Sequence, residues 1–310
     1  MSAQNPEKIL QRLDWTVVRR LDGLLQGDYR TLFHGFGLDL ADLREYQLGD
    51  DIRYIDWNVT ARMQTPYVRQ YVEDREVTGW FLLDLSPSLD FGTVQALKRD
   101  LLIDFVAVLA RLLTRHGNRV GAILYGDGVE GVIPARGGKL QVLRLINDLM
   151  GRPHLKRAPL TDLTTLIQAA IRTFRRRSLV FIVSDFISTP GWDKPLGTLT
   201  QRHEVLAIRL YDPREVELPD IGPLIIEDSE TGEQLYIDTH DKRFRRRFVE
   251  AARRRENELK AKFGRLGVDV LDLSTEDDLA SEIVRFAMLR KQHKRAPAAF
   301  ASPLARGASR

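Results

Sequence analysis

Two carboxylates and three hydroxyls stand at positions from which they could hold a metal ion together. Asp84, Ser86 and Ser88 lie at and just beyond the end of a short apolar run that is typical of a buried strand. Thr161 precedes an amphipathic helical pattern, and Asp185 follows a second apolar run. Oxygen groups of this kind are hard ligands, which suit Mg²⁺ or Mn²⁺ better than zinc or copper. The five residues are therefore a candidate site for one metal ion.

The elements that must position these residues follow from hydrophobic periodicity. From residue 78 onward, apolar runs of strand length alternate with helical patterns, which predicts a mainly parallel sheet with helices on both faces. The predicted strands are Trp80–Asp84, Arg119–Tyr125, Val129–Pro134, Leu179–Ser184, Val205–Tyr211 and Val268–Leu273. The predicted helices between them are Gln95–His116, Leu140–Met150, Asp162–Arg176, Asp241–Phe263 and Glu276–Leu289. Ligands of such a sheet bind outside the carboxyl ends of the strands, where Asp84 and Asp185 should meet.

Two further elements flank this alternation. Asn5-Pro6-Glu7 is a helix start, with Asn as the cap and Pro at the first helical position. Ser229 to Gly232 separates two short strand patterns and predicts a β-hairpin insertion. The chain is therefore divided into an N-terminal helix and charged segment packed on the core (1–77), an α/β domain (78–290) and a disordered basic tail (291–310).

Each candidate ligand also has a purely structural interpretation. Ser86 and Ser88 could be turn residues, Thr161 a helix N-cap and Asp185 part of a turn at a strand end. Taken singly, these interpretations are the better ones. The combination of all five in this order at one sheet edge favours the metal site.

This arrangement resembles the metal-ion-dependent adhesion site of von Willebrand factor A domains. The pattern there is Asp-x-Ser-x-Ser, then a Thr and then an Asp. The five positions are filled here by Asp84, Ser86, Ser88, Thr161 and Asp185, with the threonine in a Thr-Asp-Leu context. The resemblance implies a von Willebrand factor A-like (Rossmann-like) fold. It also implies one Mg²⁺ or Mn²⁺ ion with a coordination position left open for a partner's carboxylate.

A second segment, from Arg44 to Arg62, is dense in charge and aromatic residues. Together with Tyr67-Val68-Arg69-Gln70-Tyr71 and the Asp-x-Ser-Pro-Ser motif, it resembles the bacterial domain-of-unknown-function family numbered fifty-eight. The similarity covers most of residues 27–290. It implies a von Willebrand factor A-like protein whose partner is a MoxR-type AAA+ ATPase, a class associated with chaperone-like assembly or maturation of client complexes.

The role of this charged segment has two interpretations. Its arginines can pair with its aspartates and fix a loop-rich layer beside the sheet, since buried ion networks often specify a fold. They can equally form a contact surface for a partner. The candidate residues are Arg44, Asp50, Asp51, Arg53, Asp56, Trp57 and Arg62.

Composition excludes several classes of protein. The 310 residues contain no cysteine, which excludes disulfides and thiolate metal sites and is typical of a cytoplasmic protein. No segment has the pattern of a signal peptide or the length of a membrane span. The net charge is +4. Because the tail from Lys291 to Arg310 carries +5, the remaining body is close to −1, which argues against a nucleic-acid groove. The basic run from Lys242 to Arg255 is interpreted as a solvated helix face.

The sequence thus favours a non-enzymatic, metal-dependent adaptor that binds a MoxR-type ATPase and a protein client. One alternative is a metal-dependent hydrolase or phosphoryl-transfer enzyme. The motif places Ser86 and Ser88, rather than a second carboxylate, beside the metal, and no histidine lies in the motif segments. A nucleic-acid-binding protein is the other alternative. Gly126, Gly128 and Gly131 have dinucleotide-site spacing, but a hairpin pattern follows them instead of a helix.

Overall fold

The structure is a computed structural model that describes residues 5–24, 42–47, 50–52, 55–70, 77–92, 96–155 and 158–295. For residues 22–24, 42–44, 58, 69–70 and 291–295 within these ranges, only the backbone is described.

The strands of the described ranges fall into one central sheet and two small ones. They are β1 (Asp42–Glu45), β2 (Tyr67–Gln70), β3 (Thr78–Asp84), β4 (Arg119–Tyr125), β5 (Val129–Arg136), β6 (Leu179–Ser184), β7 (Glu204–Tyr211), β8 (Pro223–Glu227), β9 (Gln234–Asp238) and β10 (Asp269–Ser274). The central sheet has the order β10-β7-β6-β3-β4-β5, while β1-β2 and β8-β9 each form an antiparallel pair.

The central sheet is parallel except for its edge strand β5, which runs antiparallel to β4. The chain starts in the middle at β3, moves outward through β4 and β5, and then returns to β6 on the other side of β3. This is the doubly wound arrangement, in which the strand order reverses between β3 and β6. The reversal opens a crevice at the carboxyl ends of these two strands, where Asp84 and Asp185 lie.

Strands with both faces covered need apolar residues on both faces, and the central strands meet that requirement. All six residues of β6 are buried, as are the last four of β3. Phe81 and Phe181, at paired positions of these strands, stack with their ring centroids 5.1 Å apart. The sheet is therefore rigid at the point where the two candidate carboxylates leave it.

The helices cover both faces of this sheet. They are α1 (Pro6–Leu13), which continues through a π-helical turn (Asp14–Val18) into α2 (Arg19–Leu24), and then α3 (Trp57–Met63), α4 (Lys98–Arg115), α5 (Lys139–Met150), α6 (Leu163–Thr173), α7 (Asp193–Thr200), α8 (Lys242–Leu266) and α9 (Leu279–Arg295). One core layer unites residues of α1, α4, α5 and α9 with one sheet face. A second layer unites α6, α7 and the end of α8 with the other face.

The N-terminal helix belongs to the first core layer. Its cap is Asn5, whose side chain accepts a hydrogen bond from the backbone N–H of Glu7 at 2.9 Å. Leu10, Leu13 and Val18 are buried in the same cluster as the sheet residues. An amphipathic helix gains most of its stability from packing of this kind, so this segment depends on the domain for its structure.

The predicted α/β fold is confirmed, although the bounds of several elements differ and β1, β2, α3 and α7 were not predicted. The α7 helix was missed because Pro195 and Gly197 interrupt its helical pattern; a proline in the first turn of a helix is tolerated. The last helix was predicted to end at Leu289, before a disordered tail from residue 291, whereas α9 continues to Arg295. The six residues 290–295 contain no glycine or proline that would end a helix. The α6 helix ends at Thr173 rather than at the predicted Arg176, because Phe174 is extended.

The predicted hairpin is confirmed as β8 and β9, and neither strand pairs with any other strand of the described ranges. None of the helices in the described ranges combines the length and the apolar character needed to cross a bilayer.

Candidate functional site at the carboxyl ends of the central strands

Asp84 joins the two central strands at their carboxyl ends. It is the last residue of β3 and is fully buried. Its Oδ1 accepts a hydrogen bond from the backbone N–H of Ser86 at 3.0 Å, and its Oδ2 accepts one from the hydroxyl of Ser184 at 2.6 Å. Ser184 is the last residue of β6, so Asp84 holds the β3 and β6 ends together.

The charge of Asp84 is unfavourable in this position. Burial, reinforced by the nearby negative charge of Asp185, raises the pKa of Asp84 from its ordinary value of 3.8 to about 6. The hydrogen bonds from Ser184 and Ser86 oppose the shift without cancelling it. A carboxylate in this state is stabilised by any cation that can approach it.

Ser86 and Ser88 lie directly beyond Asp84. Ser86 precedes a short 3₁₀ helix, Pro87–Asp90, whose fixed proline φ suits the first helical position. Both serines are buried, and their hydroxyl oxygens are 3.1 Å apart. The turn therefore brings two hydroxyls next to the Asp84 carboxylate on a short, rigid segment.

Asp185 follows β6 and has both carboxylate oxygens engaged. Its Oδ1 accepts a hydrogen bond from the backbone N–H of Ile187 at 2.9 Å, which is the strand-end turn of the structural interpretation. Its Oδ2 accepts from the ammonium group of Lys98 at 2.9 Å. Asp185 thus has a structural role in the turn and is also half of a buried ion pair.

The residue after Asp185 has a strained backbone. Phe186 has φ = 57°, in the left-handed region that a bulky side chain rarely adopts. Its ring packs against Trp192 and Phe263, with centroids 5.8 and 5.0 Å away. Strain of this kind costs on the order of 1–3 kcal/mol and persists only where packing enforces it, often at functional sites.

Lys98 was not among the residues proposed from the sequence. It is the first residue of α4, is fully buried, and pairs with Asp185 at 2.9 Å and with Glu215 at 2.6 Å. Burial by itself would lower the pKa of Lys98, but the charges of Asp185 and Glu215 outweigh it and raise this pKa above its ordinary value. The ammonium group is therefore charged and fixes Asp185 in place.

Thr161 does not cap the following helix. The cap of α6 is Asp162, whose carboxylate accepts from the backbone N–H of Thr164 at 2.9 Å. Thr161 instead donates its hydroxyl to Oε1 of Glu230 at 2.5 Å and its backbone N–H to Oε2 of Glu230 at 3.0 Å. Glu230 comes from the turn of the β8–β9 hairpin and is itself buried. The two donors of Thr161 thus hold a carboxylate.

The donor set is of the type that a hard cation requires. Asp84, Ser86, Ser88, Thr161 and Asp185 are all buried. Asp84, Ser86 and Ser88 contact one another, and the carbonyl of Thr161 accepts a hydrogen bond from Ser188, three residues beyond Asp185. Within the described ranges, no three His, Asp or Glu side chains cluster closely enough to form a metal site by themselves. A metal would therefore depend on the hydroxyls beside one or two carboxylates, which is compatible with the few carboxylates and several waters that Mg²⁺ commonly keeps.

A groove of about 220 Å³ adjoins Asp185. Its lining combines aromatic and charged side chains, among them Trp192, Tyr211, Arg209 and Lys262. Lys262 lies over the Trp192 ring and Arg209 over the Tyr211 ring, with 5.3 and 5.1 Å to the ring centroids. The volume suits one or two side chains of a partner.

The structure describes the charged segment 44–62 only in part. Asp56 is buried and its carboxylate accepts from the backbone N–H of Val59, at the start of α3. The carboxylate of Asp50 accepts from the backbone N–H of Gln47. Asp51 and Arg62 are exposed, and the side chain of Trp57 is 70% exposed.

The two interpretations of this segment both stay predictions. The side chain of Arg44 and the whole of Arg53 lie outside the described residues. Arg44 is described only as a backbone position of β1, where it pairs with Val68 of β2. The buried Asp56 supports a structural role, whereas the exposed Trp57 ring is typical of a contact surface.

Sequence reasoning missed Lys98, Ser184 and Glu230. A weak signal existed for Lys98, because a cation in the first turn of an apolar helix is unfavourable to the helix dipole and calls for a partner. Ser184 could have been found as the residue that ends the strand next to Asp84. Glu230 has no local signal, because its contact with Thr161 spans 69 residues.

The strand order and the polar crevice define a von Willebrand factor A-like α/β domain. Residues 42–258 match the model of the family described as "Protein of unknown function DUF58". The uncharacterized protein Rv1480 of Mycobacterium tuberculosis is 38% identical over 283 residues, which cover 91% of this chain and 89% of that protein. The uncharacterized protein Mb1516 of Mycobacterium bovis matches equally well. The chain therefore belongs to the DUF58 family.

Two solved structures are similar over most of their own length. BatB from Bacteroides thetaiotaomicron is 12% identical with a TM-score of 0.43, covering 70% of this chain and 99% of that one. An aerotolerance-related membrane protein from Bacteroides fragilis is 13% identical with a TM-score of 0.46 and the same coverage.

The raised pKa of Asp84 predicts a pH-dependent effect of Asp84→Asn in EDTA. The pKa of Asp84 is higher in the folded protein than in the unfolded chain. The contribution of this carboxyl group to the free energy of unfolding is therefore complete below about pH 4 and is lost as the pH rises through about 6. The unfolding free energy of Asp84→Asn relative to wild type should thus rise by about 3 kcal/mol over this window and stay level above pH 7. Urea titrations across pH measure it. Asp127→Asn, an exposed carboxylate beyond β4, is the control and should show no such rise. A flat profile for Asp84→Asn would contradict the buried-charge account.

Lys98→Met should destabilise the domain by about 3–5 kcal/mol, because it leaves Asp185 as an uncompensated buried charge. The double variant Lys98→Met, Asp185→Asn should recover part of this loss, since neither of these two charges remains. The matched control is Lys139→Met, an exposed lysine at the first position of α5, which should change stability by less than about 0.5 kcal/mol. Urea unfolding at pH 7 measures all three, and equal losses for the single and double variants would contradict the pairing.

Proposed function

We propose that this protein is a non-enzymatic interaction domain that binds acidic groups of a partner at the β3–β6 crevice with the help of one Mg²⁺ or Mn²⁺ ion. It works with a MoxR-type AAA+ ATPase in the assembly or maturation of client complexes. In this role the domain supplies recognition, and the ATPase supplies energy.

One observation carries the recognition part of the proposal. The backbone N–H and the hydroxyl of Thr161 hold both oxygens of the Glu230 carboxylate, at 3.0 and 2.5 Å. The crevice is thus built to receive a carboxylate beside Asp84 and Asp185, which are themselves negative. A cation between these groups would remove their mutual repulsion, and the hydroxyls of Ser86 and Ser88 are suitable additional ligands for it.

The environment of Asp84 supports binding rather than catalysis. A carboxylate with a pKa of about 6 could serve as a general base if it reached a substrate. Asp84 is fully buried, however, and both of its oxygens accept hydrogen bonds from the protein. The groove beside the site is lined by Asp185 and not by Asp84. We therefore propose that the protein has no catalytic activity of its own.

The ATPase partnership rests on the family resemblance and on the exposed Trp57 ring. Tryptophan is strongly enriched at the energetic centres of protein interfaces, and this one stands at the start of α3 in the segment that is most typical of the family. A contact there would leave the crevice free for the client.

Millimolar Mg²⁺ or Mn²⁺ should raise the melting temperature of the wild-type protein relative to EDTA. A ligand that binds only the native state stabilises it by about 2.7 kcal/mol at a hundredfold excess over its Kd. Asp84→Asn should lose this rise, and Thr161→Ala should weaken it without the cost of removing a helix cap, since Asp162 is the cap. Differential scanning fluorimetry measures it. The matched control Asp127→Asn should keep the full rise in melting temperature. If neither metal raises the melting temperature of the wild-type protein, the proposed metal site is wrong.

Affinity purification from the native host should recover a MoxR-type ATPase with the wild-type protein. Trp57→Ala should reduce the recovery at least tenfold, because a buried aromatic anchor at an interface commonly contributes 2 kcal/mol or more. Trp15→Ala, which removes another exposed tryptophan from the N-terminal helix, is the control and should leave the recovery unchanged. Repeated absence of the ATPase after cross-linking would refute the partner assignment and leave the metal test untouched.

A further inference from the structure

The carboxylate that Thr161 holds belongs to the chain itself. Glu230 lies in the turn of the β8–β9 hairpin, 69 residues from Thr161, and only 7% of it is exposed. In the described part of the chain no arginine or lysine pairs with it, so its charge is stabilised by the two donors of Thr161. A glutamate would not be buried in this way unless the crevice were suited to a carboxylate.

The turn is constructed to present Glu230. The side chain of Asp228 accepts hydrogen bonds from the backbone N–H of Glu230 at 3.0 Å and of Thr231 at 2.7 Å. These bonds lower the pKa of Asp228, with the bond from Thr231 as the largest cause. Gly232 has φ = 72° and closes the turn in the left-handed region that glycine tolerates. The Glu230 side chain is therefore aimed by a defined turn rather than by a loose loop.

In the described ranges the hairpin pairs with no strand of the central sheet. At its base, Thr239 donates its hydroxyl to the carbonyl of Gly222 at 2.8 Å, which closes the hairpin, and its own carbonyl accepts a hydrogen bond from Arg245 of α8 at 2.6 Å. Ile237 is buried. Further out, the paired residues Ile225 and Tyr236 are 62% and 70% exposed. A two-stranded hairpin without a third strand is marginally stable alone. The position of its turn therefore depends on the contact between Glu230 and Thr161.

The surroundings of Glu230 are rich in negative charge. Burial, together with the charges of Asp162, Asp84 and Glu230, raises the pKa of Tyr125. Two hydrogen bonds from Thr161 hold Glu230 among these like charges. Another carboxylate could accept the same two hydrogen bonds in its place.

We propose that Glu230 is an internal occupant of the partner-binding crevice, and that a partner with an exposed Asp or Glu side chain binds there by displacing the β8–β9 hairpin. The inference rests on the proposed function, because it assigns the partner's chemistry and the regulation of that same crevice. The hairpin keeps the crevice closed until a stronger carboxylate ligand arrives. Its movement also changes the position of Ile225 and Tyr236, which are already exposed.

The first test measures the closed state without any partner, by hydrogen–deuterium exchange of the full chain in EDTA. Glu230→Ala should speed the exchange of the Thr161 amide and of the hairpin amides at least tenfold. Glu230→Gln keeps the shape and should give an intermediate effect. The matched control is Glu233→Ala, which removes an exposed carboxylate from the same turn and should exchange like wild type. Unchanged exchange in Glu230→Ala would overturn the proposal.

The second test supplies a carboxylate from outside. The probe is a fluorescent synthetic peptide with the sequence of residues 220–240, and its binding is measured by anisotropy. It should bind Glu230→Ala at least tenfold more tightly than wild type, because the internal occupant is missing there. A peptide with Gln in place of the glutamate that corresponds to Glu230 should lose that advantage. Equal binding to both proteins, or binding to neither, would overturn the proposal. The contact between Glu230 and Thr161 would then have a purely structural role.

The two proposals fail in distinguishable ways. If the metal-dependent melting shift is absent while both Glu230 tests succeed, the crevice binds carboxylates without a metal. If the melting shift is present while the Glu230 tests fail, the metal site stands and the internal occupant does not.

Discussion

The organisation of the site depends on the two ion pairs that the buried ammonium group of Lys98 makes with Asp185 and Glu215. This ammonium group links the start of α4, the end of β6 at Asp185 and a second 3₁₀ helix, Pro213–Glu215. Removing a lysine from water is costly, and two carboxylates at 2.9 and 2.6 Å offset that cost only in this geometry. Three separate segments are therefore held in one arrangement by a single charge, and the strained Phe186 is tolerated next to it.

Lys98 balances the charge of the crevice only on one side. Asp185 and Glu215 share the ammonium group, whereas Asp84 has hydroxyl and amide donors and no cation partner among the described residues. The negative charge is thus neutralised at Asp185 and not at Asp84, which is fully buried. A cation, a proton on Asp84 and the donors of Thr161 are three ways of stabilising negative charge there. The occupation of the crevice by Glu230 fits this asymmetry.

The parts of this structure that follow from local patterns were predictable from the sequence. The central strands β4 and β6 have the predicted bounds, because continuous apolar runs next to turn residues leave little choice. Asp84 and Asp185 were placed correctly at strand ends because each ends or follows such a run, whereas Thr161 was identified from its position before a helix. The role of the five motif residues as metal ligands stays a prediction. Lys98 and Glu230 were not, since their roles depend on which distant groups they meet after folding. The helix α7 was missed for a different reason, because its Pro195 and Gly197 are local signals that tertiary packing overrides.

The parallel pairing of β3 with β6 has a consequence for the order of events during folding. The hydrogen bond between Ser184 and Asp84 spans 100 residues, and the contact between Thr161 and Glu230 spans 69. Closing such long loops costs entropy before any contact compensates for it, which makes pairing of this type slow. The α4–β4–β5 unit can form early, but the crevice cannot exist until ribosomal synthesis has passed β6 and Glu215. Because β10 joins the same sheet only after that, recognition by this domain is available to a folded molecule and not to a nascent one.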